Sequence, residues 1–385
     1  MSGFGPEHLP YGVFRRAGGA PSVGVRFGDR VLDLAALARD GLLDEDPALF
    51  ARPSLNVFMA AGPATWARVR EALQALTAGP DAELAAVPID EADVLLAVEV
   101  ADYVDFYSSL EHAANVGRMF RPDADPLPPN WRHLPAGYHG RAGTVVVSGT
   151  PIRRPSGQRR ERGDDAPVFG PSVRLDIELE LGFVVGTASR AGEPVPVDRA
   201  LEHVFGVVLL NDWSARDLQA WEYRPLGPFL GKSFATSVAA WVTPLDAILA
   251  RRVPAPSQEP VPLPYLREEP WALDLDLAVE LNGTTVARTN ARHLYWSAAQ
   301  QLAHMTVNGA SLRTGDLLGS GTISGPARGE RGSLLELSWN GEEPIALDDG
   351  STRTFLEDGD EVVLRGSAGE AITLAEVRGT IEASR

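Results

Sequence analysis

Apolar and acidic positions alternate along RLDIELELGFVVG at 174–186. A period of two sends successive side chains to opposite faces of an extended chain, so the pattern predicts a strand. Leu175, Ile177, Leu179 and Leu181 would share one face, and Asp176, Glu178 and Glu180 the other. Further strand-like runs are TVVVSG at 144–149, VFGVVLLND at 204–212, LDLDLAVELNG at 273–283, LLELSWNG at 334–341 and DEVVLRG at 360–366. Helical spacing occurs in SSLEHAANV, SARDLQAWEY and SAAQQLAHMTV. Residues 1–75 mix short strand-like stretches (YGVFRR, SVGVRFGDRVLDL) with helical ones near 35–43 and 64–77. The small, acidic segment TAGPDAELAAVPIDEADV reads as a linker ending near residue 95. Two Pro/Arg-rich stretches, 151–167 and 250–270, lack periodicity and read as loops. No internal repeat is visible. The pattern predicts a mainly β protein with some helix, a small β-rich N-terminal domain at 1–95 and a large β-dominated one at 96–385.

Composition changes this picture by exclusion. The chain has 385 residues, 44% of them hydrophobic, which is ample for an ordinary core. Its formal net charge of −17 repels phosphate backbones and anionic lipid, arguing against nucleic-acid and membrane-surface partners. The five arginines of the 151–167 stretch sit among acids and read as a solvated loop. Absence of cysteine excludes disulfides, thiolate metal sites and a cysteine nucleophile. The opening MSGFGPEHLPYGVF lacks a signal-peptide pattern, and VFGVVLL is far shorter than the ~18 apolar residues of a membrane helix. A soluble, cytoplasmic protein is expected. Of the 35 basic residues only Lys232 is lysine. A site that needs a compact ammonium rejects the planar guanidinium, which makes the lone lysine a candidate functional group; chance survival is the alternative.

The acidic residues carry the candidate chemistry. No positive charge alternates with Asp176, Glu178 and Glu180, so their face is either a solvated strand surface or a cation site. Asp212 closes the apolar strand at 204–212, and Asp105 lies just before a helix; each could equally be a helix N-cap. If two strand carboxylates and these two strand-end carboxylates converge, they form an all-oxygen cage for Ca²⁺ or Mg²⁺. Asp212, Arg216, Gln219 and Tyr223 are spaced 4, 3 and 4, one face of a helix that Trp213, Leu218 and Trp221 leave free. Lys232 follows in the glycine-bracketed RPLGPFLGKSFAT. Ser108 to Glu111 fits a capping box, which would make Glu111 a helix device. His112 follows in the first turn, seven residues from Asp105, as a candidate base or as a histidine without a role. His133 and His139 flank Tyr138 in a Pro/Gly-rich loop and read as loop packing.

The long stretch from DYVDFYSSLEHAANVGRMF through PNWRHLPAGYHGRAGTVVVSGTPIRRPSGQ resembles the fumarylacetoacetate hydrolase family. So do LDIELELGFVVG, NDWSARDLQAWEYRPLGPFLGKSFAT, LYWSAAQQLAHMTVNGASLRTGDLLGSGTISGP and GSLLELSWNG, so that the resemblance spans about 100–366. It implies an SH3-like N-terminal β-barrel domain, a mixed β-sandwich roll as the C-terminal catalytic domain, and a homodimer. The implied reaction is hydrolysis of 4-fumarylacetoacetate to fumarate and acetoacetate, the last step of tyrosine and phenylalanine breakdown. Asp105, Glu178, Glu180 and Asp212 match the family's metal ligands, and Lys232 and Thr236, with Asp212, a secondary Mg²⁺ position. His112 matches the general base and Glu336 the carboxylate that orients it, while Arg216, Gln219 and Lys232 match groups that stabilise developing negative charge. Tyr107, Arg121, Tyr138, Gln219, Tyr223 and Thr322 match substrate contacts. The wording departs from the family at Leu110 and Glu111, where Arg–Gln is common, and at Ala235, where glycine is usual. Alternatives are a sister activity on another oxo acid and a catalytically dead binding protein on the same fold.

Overall fold

The computed structural model describes residues 3–79, 86–160, 163, 165–268 and 271–385. Thirteen strands form the main sheet. Along its path lie Ala86–Pro88, Arg30–Asp33, Ser22–Phe27, Tyr11–Arg16, Trp241–Pro244, Val204–Asp212, Leu179–Val185, Leu317–Gly319, Tyr103–Phe106 and Gly137–His139. The N-terminal strands thus share a sheet with the later ones. The join is antiparallel, Tyr11 opposite Val242 and Gly12 opposite Trp241. Glycine is required there, because a Cβ on residue 12 would stand 2.5 Å from the Trp241 ring.

A second sheet orders Thr284–Asn290, Asp276–Leu281, Glu361–Ala368, Ile372–Glu382 and Ile152–Arg153. It packs against the main sheet at Val204–Asp212, where Leu209 reaches to 3.3 Å of a Cβ added at Gly366, a sandwich arrangement. Gly379 makes room for the Trp213 indole, whose Cζ2 would be 2.6 Å from an added Cβ. One apolar cluster runs from Leu9 to Ile381 through both sheets. Eight α-helices are described: α1 Leu34–Arg39, α2 Asn56–Ala60, α3 Pro63–Ala78, α4 Leu110–Phe120, α5 Arg216–Glu222, α6 Leu245–Leu249, α7 Ala298–Thr306 and α8 Leu334–Leu337. Among the described residues, no helix is long and apolar enough to cross a membrane.

Four local expectations need correction. The acidic 77–94 segment is more than a linker: Ala86–Pro88 pairs with Arg30–Asp33, and Ala92–Leu95 with Tyr11–Arg16. Short edge strands need little apolar content, and Val87 alone there is buried; residues 80–85 of that segment lie outside the described residues. The Pro/Arg-rich 151–167 stretch holds the strands Ile152–Arg153 and Ser156–Arg159. Its Arg154 is buried, donating to the carbonyls of Ser172 and Leu356 and pairing with Asp358. LLELSWNG is a helical turn, not a strand, because Ser333 caps it by accepting the Glu336 N–H, and Trp339 and Asn340 turn the chain away with positive φ. The single strand expected over 174–186 is two, Leu175–Asp176 and Leu179–Val185, broken at Ile177 and Glu178; both are buried, so of the two readings of its acidic face the solvated one falls. The 250–268 part of the 250–270 stretch is largely irregular, as expected, though Arg252–Pro254 pairs with Trp271–Leu273; residues 269–270 lie outside the described residues.

Candidate metal centre and its histidine–acid pair

Adjacent strands bring the acids together. Asp212 ends Val204–Asp212, which pairs with Leu179–Val185, the strand of Glu180; Glu178 directly precedes that strand. Asp105 lies two strands further on, in Tyr103–Phe106. Between them runs Leu317–Gly319, with Gly319 opposite both Gly182 and Asp105. A Cβ at residue 319 would stand 2.8 Å from Glu180 Oε2 and 3.0 Å from Asp105 Oδ1, so this glycine leaves the space in which the two carboxylates meet. Ligand oxygens of Asp105, Glu178, Glu180 and Asp212 lie within 4.8 Å of one another, and all four residues are buried. Asp176, which shares their face in the strand pattern, stands apart. Its oxygens accept the N–H groups of Ile177, Leu334 and Leu335 and the Arg216 Nε–H.

Electrostatics favours a cation in this group. Burial pushes the Asp105 carboxyl well above the ordinary carboxylate range, and the facing Asp212 adds to this. Glu180 is raised likewise by burial and then by Asp105. Asp105 Oδ1 and Glu180 Oε1 have no hydrogen-bond partner among the described residues, a costly state for buried acceptors. The other half of the cage is compensated. Lys232 Nζ pairs with Glu178 and, at 2.8 Å, with Asp212, while Arg216 Nη2 is 2.8 Å from Glu178 Oε1. Although burial opposes it, these two cations hold the Glu178 carboxyl well below its usual range. Thr236 and Tyr138 hydroxyls donate to Asp212 at 2.8 and 3.0 Å. Four carboxylates therefore face one ammonium and one guanidinium, the latter shared with Asp176, and the surplus negative charge suits a hard divalent ion. The donor set and the orphaned oxygens fit such an ion.

Beside the cage, α4 and α8 meet. Ser109 caps α4 and accepts the N–H of His112, so His112, not Glu111, occupies the third helical position; the predicted capping box is absent. Ser108 instead accepts from Gln301 at 2.7 Å. His112 Nδ1 lies 2.6 Å from Glu336 Oε2, both side chains buried. Ser324 and Ser333 hydroxyls donate to the same oxygen at 2.9 Å, and Asn115 Nδ2 donates to Oε1 at 2.9 Å. Despite burial, pairing with His112 and these donors hold the Glu336 carboxyl below its ordinary range. With the carboxylate on Nδ1, that nitrogen carries the proton and Nε2 can accept one. The Tyr107 ring stands edge-on to the imidazole at 5.2 Å.

The remaining candidates divide. α5 begins at Arg216 with Ala215 as its cap, so Asp212 belongs to the strand, and the helical stripe keeps only Arg216 and Gln219, joined at 3.2 Å. Tyr223 closes α5 and is exposed. Thr322 is buried, its hydroxyl unpartnered among the described residues. Arg121 ends α4, exposed, with its guanidinium on the Pro126 carbonyl; no described contact ties it to the cage. His133 and His139 are exposed, not packed; His139 ends the strand Gly137–His139, where it alternates outward with the half-buried Tyr138 between. Sequence reasoning missed Asn115, Ser324, Ser333 and Gly319. Asn115, three residues after His112, and the Ser333–x–x–Glu336 spacing were available signals.

Fold and site define a class: a two-sheet β protein with a buried acidic group able to take a metal ion beside a buried histidine–acid pair. The chain belongs to the fumarylacetoacetate hydrolase family. Its residues 102–382 match the model "Fumarylacetoacetate (FAA) hydrolase C-terminal", and residues 7–102 match "Fumarylacetoacetase N-terminal". It is 50% identical over 385 residues to a fumarylacetoacetase of Rattus norvegicus, covering 95% of this chain and 92% of that protein. The fumarylacetoacetase of Arabidopsis thaliana is 45% identical over 386 residues, covering 95% and 91%. Among solved structures, a fumarylacetoacetate hydrolase from Exiguobacterium antarcticum aligns with TM-score 0.57 at 16% identity over 97% of this chain and 99% of that one. Maleylpyruvate hydrolase from Sphingobium aligns at 0.55 and 17% over 97% and 99%. At such identities these structures speak for the fold alone.

Proposed function

We propose that this chain hydrolyses the carbon–carbon bond of 4-fumarylacetoacetate to fumarate and acetoacetate, the closing step of tyrosine and phenylalanine breakdown. Held by Asp105, Glu178, Glu180 and Asp212, with Lys232 and Thr236 beside Asp212 at a secondary position, Mg²⁺ or Ca²⁺ would polarise and orient the diketone oxygens as a Lewis acid. His112 takes a proton from water at Nε2 while Glu336 keeps the ring oriented and stabilises the imidazolium. The hydroxide attacks the carbonyl carbon next to the fumaryl group. When the carbon–carbon bond breaks, its electron pair leaves on the acetoacetate fragment as an enolate, which takes back a proton. Arg216, Gln219 and Lys232 hold the negative charge that develops. Tyr107, Tyr138, Tyr223 and Thr322 contact the substrate, and Arg121 meets a carboxylate; local cations of this kind let a chain of charge −17 accept a dianion.

The observation that carries the reading is the buried His112–Glu336 pair beside a carboxylate cage, in a chain half identical to fumarylacetoacetases. A division near residue 95 into an N-terminal domain, SH3-like in this reading, and a catalytic domain draws its support from two family models that meet at residue 102, which speak for two parts and not for the barrel. Exposed Phe169, Leu226 and Phe229 support a homodimer, and the acidic, cysteine-free composition supports a cytoplasmic location. The test is loss of the ultraviolet absorbance of fumarylacetoacetate, before and after chelation and Mg²⁺ or Ca²⁺ add-back. Metal-dependent loss with both products formed is expected. Inactivity in the presence of metal would move the assignment to a sister reaction on another oxo acid.

A further inference from the structure

The chain between α5 and Lys232 presents a mechanical puzzle. Residues 223–230 are mostly exposed on the single chain, Leu226, Phe229 and Leu230 among them, so apolar packing within the chain does not hold this loop. Yet it ends at Lys232, a buried ammonium that must sit between Glu178 and Asp212. Glu222, the last residue of α5, resolves the puzzle. Its Oε1 accepts the N–H of Phe229 at 3.0 Å and of Gly231 at 2.7 Å. Behind this clamp the Ala215 N–H donates to the Gly231 carbonyl at 2.8 Å, and the Lys232 N–H to the Phe229 carbonyl at 3.1 Å. Gly231 lies so close to α5 that an added Cβ would stand 2.8 Å from the Gln219 nitrogen. Helix and returning chain are thereby closed into one ring, with Arg216 and Gln219 on one side and Lys232 on the other.

We propose that Glu222 is a positioning residue for Lys232: its carboxylate ties the returning loop to α5, so that the ammonium reaches the cage in register with Arg216 and Gln219. A carboxylate that accepts two backbone N–H groups makes charge-assisted hydrogen bonds, stronger than neutral ones. The inference rests on the reading that Lys232 stabilises the charge developing in the reaction.

The chain has one lysine, so protein grown with lysine ¹⁵N-labelled at Nζ gives a single lysine ammonium NMR signal, that of Lys232. In Glu222→Ala this signal is expected to shift and broaden. Turnover should fall about 10²-fold with KM within about threefold, the scale of a misplaced catalytic group. Glu222→Gln keeps an oxygen able to accept both N–H groups, and should restore the wild-type signal and most of the turnover. A Glu222→Ala protein with an unchanged lysine signal and unchanged kcat overturns the proposal, even if its melting temperature is lower. The same holds if Glu222→Gln is as defective as Glu222→Ala. Lys232→Met separates the two readings. Full turnover there removes the role given to Lys232, while the lysine signal in Glu222→Ala still decides whether Glu222 positions it.

Discussion

At the scale of single residues, proton chemistry is decided by immediate neighbours. His112 is oriented by one short contact to Glu336, and Glu336 is saturated by Ser324, Ser333 and Asn115, so neither side chain has rotational freedom to spare. His112→Asn and Glu336→Gln should each leave a folded, metal-binding protein whose turnover falls by about 10²–10⁴, the range of lost general-base catalysis. Steady-state hydrolysis alongside calorimetric metal titration checks both halves, and full activity in either variant would remove the proposed base. Lys232 makes contacts that a guanidinium cannot repeat, since a single ammonium reaches both Glu178 and Asp212 inside a closed space. Lys232→Arg should cost about 10²–10³ in turnover, as loss of one charge-stabilising donor does. Unchanged turnover would make the lone lysine an accident of composition.

At the scale of elements, the cage depends on backbone approach. The three-residue strand Leu317–Gly319 separates the strands of Glu180 and Asp105, and only the missing side chain at 319 lets their carboxylates converge. Gly319→Ala puts a methyl between them. Metal affinity should fall at least about tenfold, the range seen when the groups that orient metal ligands are disturbed, with secondary structure intact by circular dichroism. Wild-type affinity in this variant would show that the carboxylates meet elsewhere. The four-residue α8 teaches a related lesson. Alternation in LLELSWNG reads as a strand, whereas the Ser333 cap and the Asp176 carboxylate, accepting from Leu334 and Leu335, supply the hydrogen bonds that make it a helical turn. Asp176 comes from 158 positions earlier in the chain, which no local window contains.

At the scale of the whole molecule, the N-terminal segment is tied to the later half by His8. The imidazole is fully buried, with Nδ1 donating to the Gly3 carbonyl at 2.9 Å and Nε2 accepting from the Thr243 hydroxyl at 2.8 Å. Burial lowers its pKa from 6.5 to about 4, with Arg70 and Arg26 acting in the same direction. A lowered value means that the unfolded chain takes up a proton before the folded one does. The stabilising contribution of neutral His8 is thus complete above pH 6.5 and declines as pH falls toward 4. By pH 5 about 2 kcal/mol of it is lost, on the scale of 1.36 kcal/mol per pKa unit. Urea unfolding at pH 7.5 and pH 5 measures this directly. His8→Gln should flatten the difference by about that amount, and equal slopes in both proteins would refute the assignment.

Much of this protein is legible in its sequence. The strands within 174–186 and at 204–212, the helices starting near His112, Arg216 and Ala298, and every acid of the cage stand out by periodicity or by position at a strand end. Residue type and local spacing determine these, because backbone preference and the face a side chain takes are short-range properties. Tertiary structure alone decided which acids converge. In the sequence pattern Asp176 shares a face with Glu178 and Glu180, yet the strand breaks after it and Asp176 is drawn off to Arg216 and α8. It also decided that the first strands extend the sheet of the later ones at Gly12 and Trp241. Glu336, 224 residues from His112, became its partner only through the meeting of two helices. Such outcomes depend on long-range strand pairing and on the cost of burying charge, which is relieved only by partners that the folded chain brings together.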